Sequence, residues 1–186
     1  MCLVDRLKAS LPGITPEELA RLDKLAQTAV FTSQGVPFIY AGEEVMRDKK
    51  GIHNSYQSPD SINAIDWRRK MEHADVFAYY KGLIQLRKNH PAFRLGDADL
   101  VRRHLEFLPL EGSNVVAYHL KENAGGDAWG DIYVILNSRK EIAKVPVPEG
   151  RYTVVCKDGF ISEQGLGTIY GPEVFVPAQS ALIFYK

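Results

Sequence analysis

The feature that most constrains this chain is a five-residue run, Val36-Pro37-Phe38-Ile39-Tyr40, which is apolar throughout and bounded by Gly35 and Gly42. A strand with one wet face alternates apolar and polar side chains, so a run without alternation is expected to be buried on both faces, as in a parallel sheet covered by helices. Pro37 is tolerated because it stands near the start of the run. A single parallel strand cannot make a sheet. The run therefore predicts that its neighbouring strands lie outside this sequence or come from a second chain.

The flanks of the run fit a βα repeat. Thr15-Pro16-Glu17-Glu18 reads as a helix start, with Thr15 as N-cap, Pro16 at the first helical position and Glu18 closing a capping box. Leu19, Leu22, Leu25, Ala26, Ala29 and Val30 then recur at helical steps to about Ser33. After the run the sequence is polar and rich in turn formers from Ala41 to about Lys70, and loops of that length are uncommon unless functional. A second helix is predicted from near Asp75, on Val76, Tyr79, Tyr80, Leu83, Leu86 and Arg87, ending before Pro91.

After about residue 97 the pattern changes to short apolar or alternating runs at 115–120, 132–136, 152–156 and 181–185, separated by Gly, Pro, Asn and Asp. Several such runs with no helix signal between them predict an antiparallel β-sandwich. Lys plus Arg and Asp plus Glu both number 23, so no net charge draws the chain to nucleic acid or an anionic membrane, and no stretch is long enough for a membrane span. Cys2 and Cys156 have no metal or redox spacing and read as isolated thiols. The five histidines form no ligand pattern, so neither metal nor cofactor is expected.

These stretches resemble a known family. Gln34-Gly35-Val36-Pro37-Phe38-Ile39-Tyr40-Ala41-Gly42-Glu43-Glu44 resembles the last barrel strand of α-amylase superfamily enzymes, where a Gly-Ile-Pro-Phe pattern precedes Gly-Glu-Glu. Asn54-Ser55-Tyr56-x-Ser58-Pro59-Asp60, followed by Asn63-x-x-Asp66-Trp67, is similar to the loop after that strand in type I pullulanases. Residues 80–94 resemble the final barrel helix and its exit, and residues 174–182 the closing strands of the family's C-terminal β-domain. The resemblance implies an α+β chain. Residues 1–96 would be the truncated C-terminal end of a TIM barrel (last strand, long loop, last helix), and residues 97–186 an antiparallel β-sandwich. It also implies cleavage of α-1,6-glucosidic linkages in pullulan, starch or glycogen by a retaining mechanism with two carboxyl groups.

Those carboxyl groups are not expected in this chain. Leu3-Val4-Asp5-Arg6-Leu7 is similar to the tail of the family's His-Asp signature without the His-Asp itself, so no catalytic residue is assigned and the chain alone is expected to be inactive. Glu43 and Glu44 are adjacent and would point apart in a strand, so one of them is expected to anchor the loop. Arg47, Asn54, Tyr56, Asp60 and Asn63 supply amide, carboxylate, guanidinium and aromatic groups suited to a sugar, and they form the predicted rim for an α-glucan polysaccharide or oligosaccharide. An unpaired edge at residues 36–40 further predicts a strand-paired homodimer. The alternative reading is a stand-alone carbohydrate-binding or interaction module.

Overall fold

The computed structural model describes residues 2–112 and 114–186. Helices fill its first part: α1 (Leu3–Ser10), α2 (Pro16–Thr32), α3 (Asp60–Asn63), α4 (Arg69–Glu72), α5 (Ala74–Asn89) and α6 (Ala98–His104). Helix α2 starts as the sequence predicts. The Thr15 hydroxyl accepts from Glu18 N at 3.1 Å, and the Glu18 carboxylate accepts in return from Thr15 N at 3.4 Å. Helix α5 stops one residue before His90, where Pro91 forbids a further helical turn.

Strands fill the second part: β1 (Leu105–Phe107), β2 (Val115–Leu120), β3 (Ile132–Asn137), β4 (Ala143–Pro146), β5 (Arg151–Lys157), β6 (Phe160–Ile161), β7 (Gly167–Tyr170), β8 (Glu173–Val176) and β9 (Ser180–Tyr185). The main sheet runs β1-β2-β3-β9-β5, with β6 and β7 also paired to β5, and every pairing is antiparallel. Strands β4 and β8 form a separate two-stranded sheet. The result is a mixed assembly of helices and antiparallel sheet.

Side chains alternate across the main sheet into two cores. Leu120, Ile132, Val134, Val155 and Ile183 join Leu25, Tyr80, Leu83 and Phe93 of the helical layer in one core. Tyr133, Ile135, Val154 and Phe184, on the opposite face, pack with Val145, Val174 and Val176 of the small sheet. Each fully buried side chain of this size contributes about 1.5–3 kcal/mol of apolar transfer. Tyr79, Tyr80, Phe93, Tyr118 and Tyr133 are all buried, as their periodic positions predict.

Two expectations are corrected. Residues 33–40 lie in no helix or ladder, and Val36 and Phe38 are 95% and 85% exposed, so the segment predicted as a strand buried on both faces is unpaired here. The physical reason is that a ladder needs a partner backbone, and none of the described strands runs beside it. Second, residues 98–104, expected in the strand-rich part, form α6. The Asp97 side chain caps it, accepting from Asp99 N at 2.9 Å and Leu100 N at 3.0 Å.

The helical layer is locked to the sheet at several points. Arg21 reaches Asp158 Oδ1 at 2.7 Å and Ala178 O at 2.8 Å, and Tyr118 Oη donates to Thr32 O at 2.9 Å. His90 pairs with Asp127 across 2.9 Å and stacks on Trp129, which stacks on Tyr185. Burial alone would raise the pKa of Asp127, but the His90 bond and the N–H groups of Trp129 and Ala92 hold it below the ordinary carboxylate value. Helix α5 approaches β6 so closely that a Cβ on Gly82 would collide with Cγ2 of Ile161. Gly82→Ala is therefore expected to lower stability by about 1–3 kcal/mol, as overpacking does. The check is a chemical denaturation midpoint, compared with Gly126→Ala, where a Cβ meets nothing within 4 Å but φ is +78°.

Candidate functional site

The loop between residues 41 and 63 is built on two buried carboxylates. Asp5 Oδ2 accepts from Lys49 N at 3.0 Å and its Oδ1 from Gly51 N at 2.9 Å, while the Cys2 thiol donates to Oδ2 at 2.9 Å. Burial and the neighbouring carboxylate push that thiol up to about 11, so it stays protonated at neutral pH. Glu43 opens a 3-10 turn, Glu43–Val45, and accepts from Leu3 N, Tyr40 N and the amide of Gln27. Of the adjacent pair, Glu43 is the buried anchor. Glu44 caps its own turn through Gly42 N.

Above these anchors lies a cavity of about 620 Å³, lined by Phe38, Tyr40, Glu43, Lys49, His53, Asn54, Ser55, Tyr56 and Asn63. Of the residues predicted for the rim, Asn54 and Tyr56 are exposed on its wall, and Tyr56 is 76% accessible. Asn63 is also in the wall, but its side chain is committed. Nδ2 donates to Ser55 O at 2.7 Å and Ser58 O at 2.8 Å, and Oδ1 accepts from Lys49 Nζ at 3.1 Å.

Arg47 lies beneath rather than on the wall. It is 8% exposed and donates to Ala41 O and Asn63 O, with its guanidinium 5.2 Å from the Tyr40 ring centroid. Asp60 is exposed as the first residue of α3 and does not line the cavity.

Lys49 is a site residue that the sequence reading missed. Its ammonium is buried, donates to Ser55 Oγ and Asn63 Oδ1, and sits 5.3 Å from the Tyr40 ring. Surface lysines are the norm, and nothing in Asp48-Lys49-Lys50 marks the middle residue as inward. Phe38 was missed for the opposite reason, since its apolar run predicted burial.

Chemically, the wall offers an exposed aromatic face, an open carboxamide and a cation held by neutral partners, a set suited to a polyhydroxyl ligand. Among the described residues no group of three or more His, Cys, Asp or Glu side chains is placed to hold a metal, and no helix is long and apolar enough to cross a membrane.

Residues 101–159 match the family described as "Pullulanase, all-beta domain". The pullulanase of Bacillus subtilis (strain 168) is 36% identical over 177 residues, which is 89% of this chain and 24% of that protein. The structure of a pullulanase from Bacillus acidopullulyticus superposes with a TM-score of 0.95 at 43% identity, covering 100% of this chain and 23% of the other. That of pullulanase type I from Bacillus subtilis, complexed with maltose, gives 0.91 at 36% identity, covering 98% and 25%. The chain thus spans about a quarter of the length of the relatives it matches.

The two kinds of wall residue are expected to respond differently to truncation. Asn63→Ala removes three hydrogen bonds and leaves Lys49 short of a partner, so amide exchange across residues 55–58 should quicken at least tenfold, with a loss of about 1–3 kcal/mol. Asn54→Ala should leave stability within about 0.5 kcal/mol, as exposed substitutions do. Hydrogen exchange read by mass spectrometry on both variants checks this.

Proposed function

Because the chain is related to type I pullulanases and carries their all-beta domain at residues 101–159, we propose that it is part of a debranching glycoside hydrolase acting on α-1,6-glucosidic linkages of pullulan, starch or glycogen. The observation that carries this reading is the likeness along nearly the whole chain to pullulanases, one of them complexed with maltose. Asn54 and Tyr56 serve as the glucan-facing rim, with Tyr56 laid against the apolar side of a sugar ring and Asn54 meeting its hydroxyls. Arg47, Asn63 and Lys49 hold the loop beneath them. Asp60 lies outside the cavity wall, as the first residue of α3.

On this reading the chain does not hydrolyse glucans by itself. A retaining glycosidase needs two carboxyl groups about 5–5.5 Å apart across the scissile bond. The cavity wall contains one carboxylate, Glu43, and its oxygens are taken up by Gln27 and two backbone N–H groups. The nucleophile and the acid would then belong to further segments of a longer protein; the relatives are about four times the length of this chain.

Residues 1–96 then correspond to the closing part of a TIM barrel and residues 97–186 to the β-domain packed on it. The exposed Val36 and Phe38 mark where further barrel strands would pair. In the isolated chain that edge can meet a second copy instead.

Two measurements test the proposal. The purified chain should release no reducing sugar from pullulan above a buffer blank. In a longer protein carrying it, Tyr56→Ala and Asn54→Ala should each cut kcat/KM on pullulan about tenfold, roughly 1.4 kcal/mol of transition-state binding. Activity of the isolated chain, or wild-type kcat/KM in both variants, overturns the assignment. For the edge, light scattering should show a mass rising from one chain towards two with concentration, and Phe38→Asp should hold it at one. A single-chain mass at every concentration removes the homodimer.

A further inference from the structure

Helix α2 buries two polar side chains one turn apart, Asp23 at 0% and Gln27 at 4% exposure. Tyr80 Oη donates to Asp23 Oδ1 at 2.8 Å, and Gln27 Nε2 donates to Glu43 Oε2 at 3.0 Å. The other oxygen of each, Asp23 Oδ2 and Gln27 Oε1, is fully buried and has no hydrogen-bond partner among the described residues. Both atoms are acceptors, and residues four apart on a helix are surface neighbours. Leaving two buried acceptors without a donor is costly, because each has given up its water and gained nothing in return.

A single proton resolves both. Placed on Asp23 Oδ2, it turns one acceptor into a donor, and Gln27 Oε1 stands one helical turn away as an acceptor for it. Rotating the Gln27 amide does not remove the deficit: its N–H would then serve Asp23, while its oxygen would face the Glu43 carboxylate and move the missing proton there. Hydrogen-bond counting favours Asp23 as its holder. Glu43 already accepts from Leu3 N, Tyr40 N and Gln27, and neither of its oxygens is orphaned, whereas Asp23 receives one phenol.

We propose that Asp23 is held as the neutral acid in the folded protein and donates to Gln27 Oε1, so that Asp23, Gln27 and Glu43 form a proton-dependent brace under the cavity. The brace joins the centre of α2 to the turn that carries Glu43, one of the cavity's lining residues.

The surrounding charges agree. Glu43 and Glu44 face this cluster from the 3-10 turn, Tyr80 from α5, and Lys24 from α2 itself, its ammonium drawn off to Asp75 Oδ2 and Gly159 O. Burial raises the Asp23 pKa to about 7, Glu43 adds to the rise, and the Tyr80 hydrogen bond and Lys24 oppose it. A carboxyl raised on folding stabilises fully below its unfolded value, and that contribution is lost as pH rises through about 7. Above that pH two carboxylates compete for one amide, and the turn under the cavity loses a strut.

Asp23→Asn in the whole chain is the test, because its amide N–H2 can stand where the acid presents O–H. Between about pH 5 and pH 8 the thermal midpoint of the wild type should fall relative to that of the variant, and the variant should show no matching fall. A difference between the two that is the same at every pH overturns the proposal, as does a slope removed by Glu43→Gln but kept by Asp23→Asn. Infrared spectra of the unmutated chain give a second readout that needs no variant. A protonated carboxylic C=O band that persists well above the pH where ordinary carboxyls ionise, and fades as pH passes about 7, supports the brace; no such band in the folded protein overturns it.

Discussion

The pairing of β3 with β9 is the contact on which the rest of the structure depends. Its register sets Val134 against Ile183 and Leu136 against Ala181 on one face, and Tyr133 against Phe184 and Ile135 against Leu182 on the other. The first set meets the helices and the second meets the β4–β8 sheet, so one ladder serves two cores. A slip of one residue would exchange the faces and bring mismatched volumes to both cores at once. Aromatic contacts tighten the second face, with Phe184 stacked on Tyr133 at 5.0 Å and edge-on to Tyr152 at 5.1 Å.

From this sheet the geometry passes to the cavity through α2 and α5. Arg87 of α5, almost fully buried, donates to Phe31 O and Ser33 O at 2.7 Å each and to Gly35 O. These are carbonyls at and beyond the end of α2, where no helical N–H remains to satisfy them. The chain therefore leaves α2 from a fixed point even though residues 33–40 form no ladder. Gln34 adds a second tether, donating to Ala92 O and accepting from Leu95 N. The turn at Glu43 and the loop to Asn63 are suspended between this point and the Asp5 carboxylate of α1.

Features written in local chemistry were legible in the sequence. Thr15-Pro16 with Glu18 marked the start of α2, Pro91 the end of α5, and the runs at 115–120, 132–136, 152–156 and 181–185 correspond to β2, β3, β5 and β9. Features that depend on partners were not. The run Val36–Tyr40 looks buried because its composition suits a strand between neighbours, and the described chain supplies none. Helix α6 was missed because its signal is one cap, Asp97, before a short segment without an apolar stripe. Around the cavity, the exposure of Asn54 and Tyr56 could be read from residue type, but the inward turn of Arg47 and Lys49 could not. Asp23 and Gln27 were passed over because periodicity arguments follow the apolar positions of α2, and the polar residues between them are recognisable as buried only once α5 and the Glu43 turn are in place.

The way the loop is held also separates the residues tied into its frame from those that are not. Its solvent-facing ion pairs, Asp66 with Arg68 and Lys8 with Asp48, are hydrated and screened by salt, so they fix little. The real ties are side chains bonded to backbone groups: Asp5 to two N–H groups, Asn63 to two carbonyls, Arg69 to the carbonyls of Val45 and Met46, and Glu43 to two N–H groups. These bonds fix the path of the main chain directly, so the loop does not depend on side chains finding each other across solvent. Asn54 and Tyr56 take no part in this network, and among the described residues neither makes a side-chain hydrogen bond. On the proposed reading, the exposed Tyr56, set on the wall of a cavity whose frame is tied by other residues, is the group that meets a ligand there.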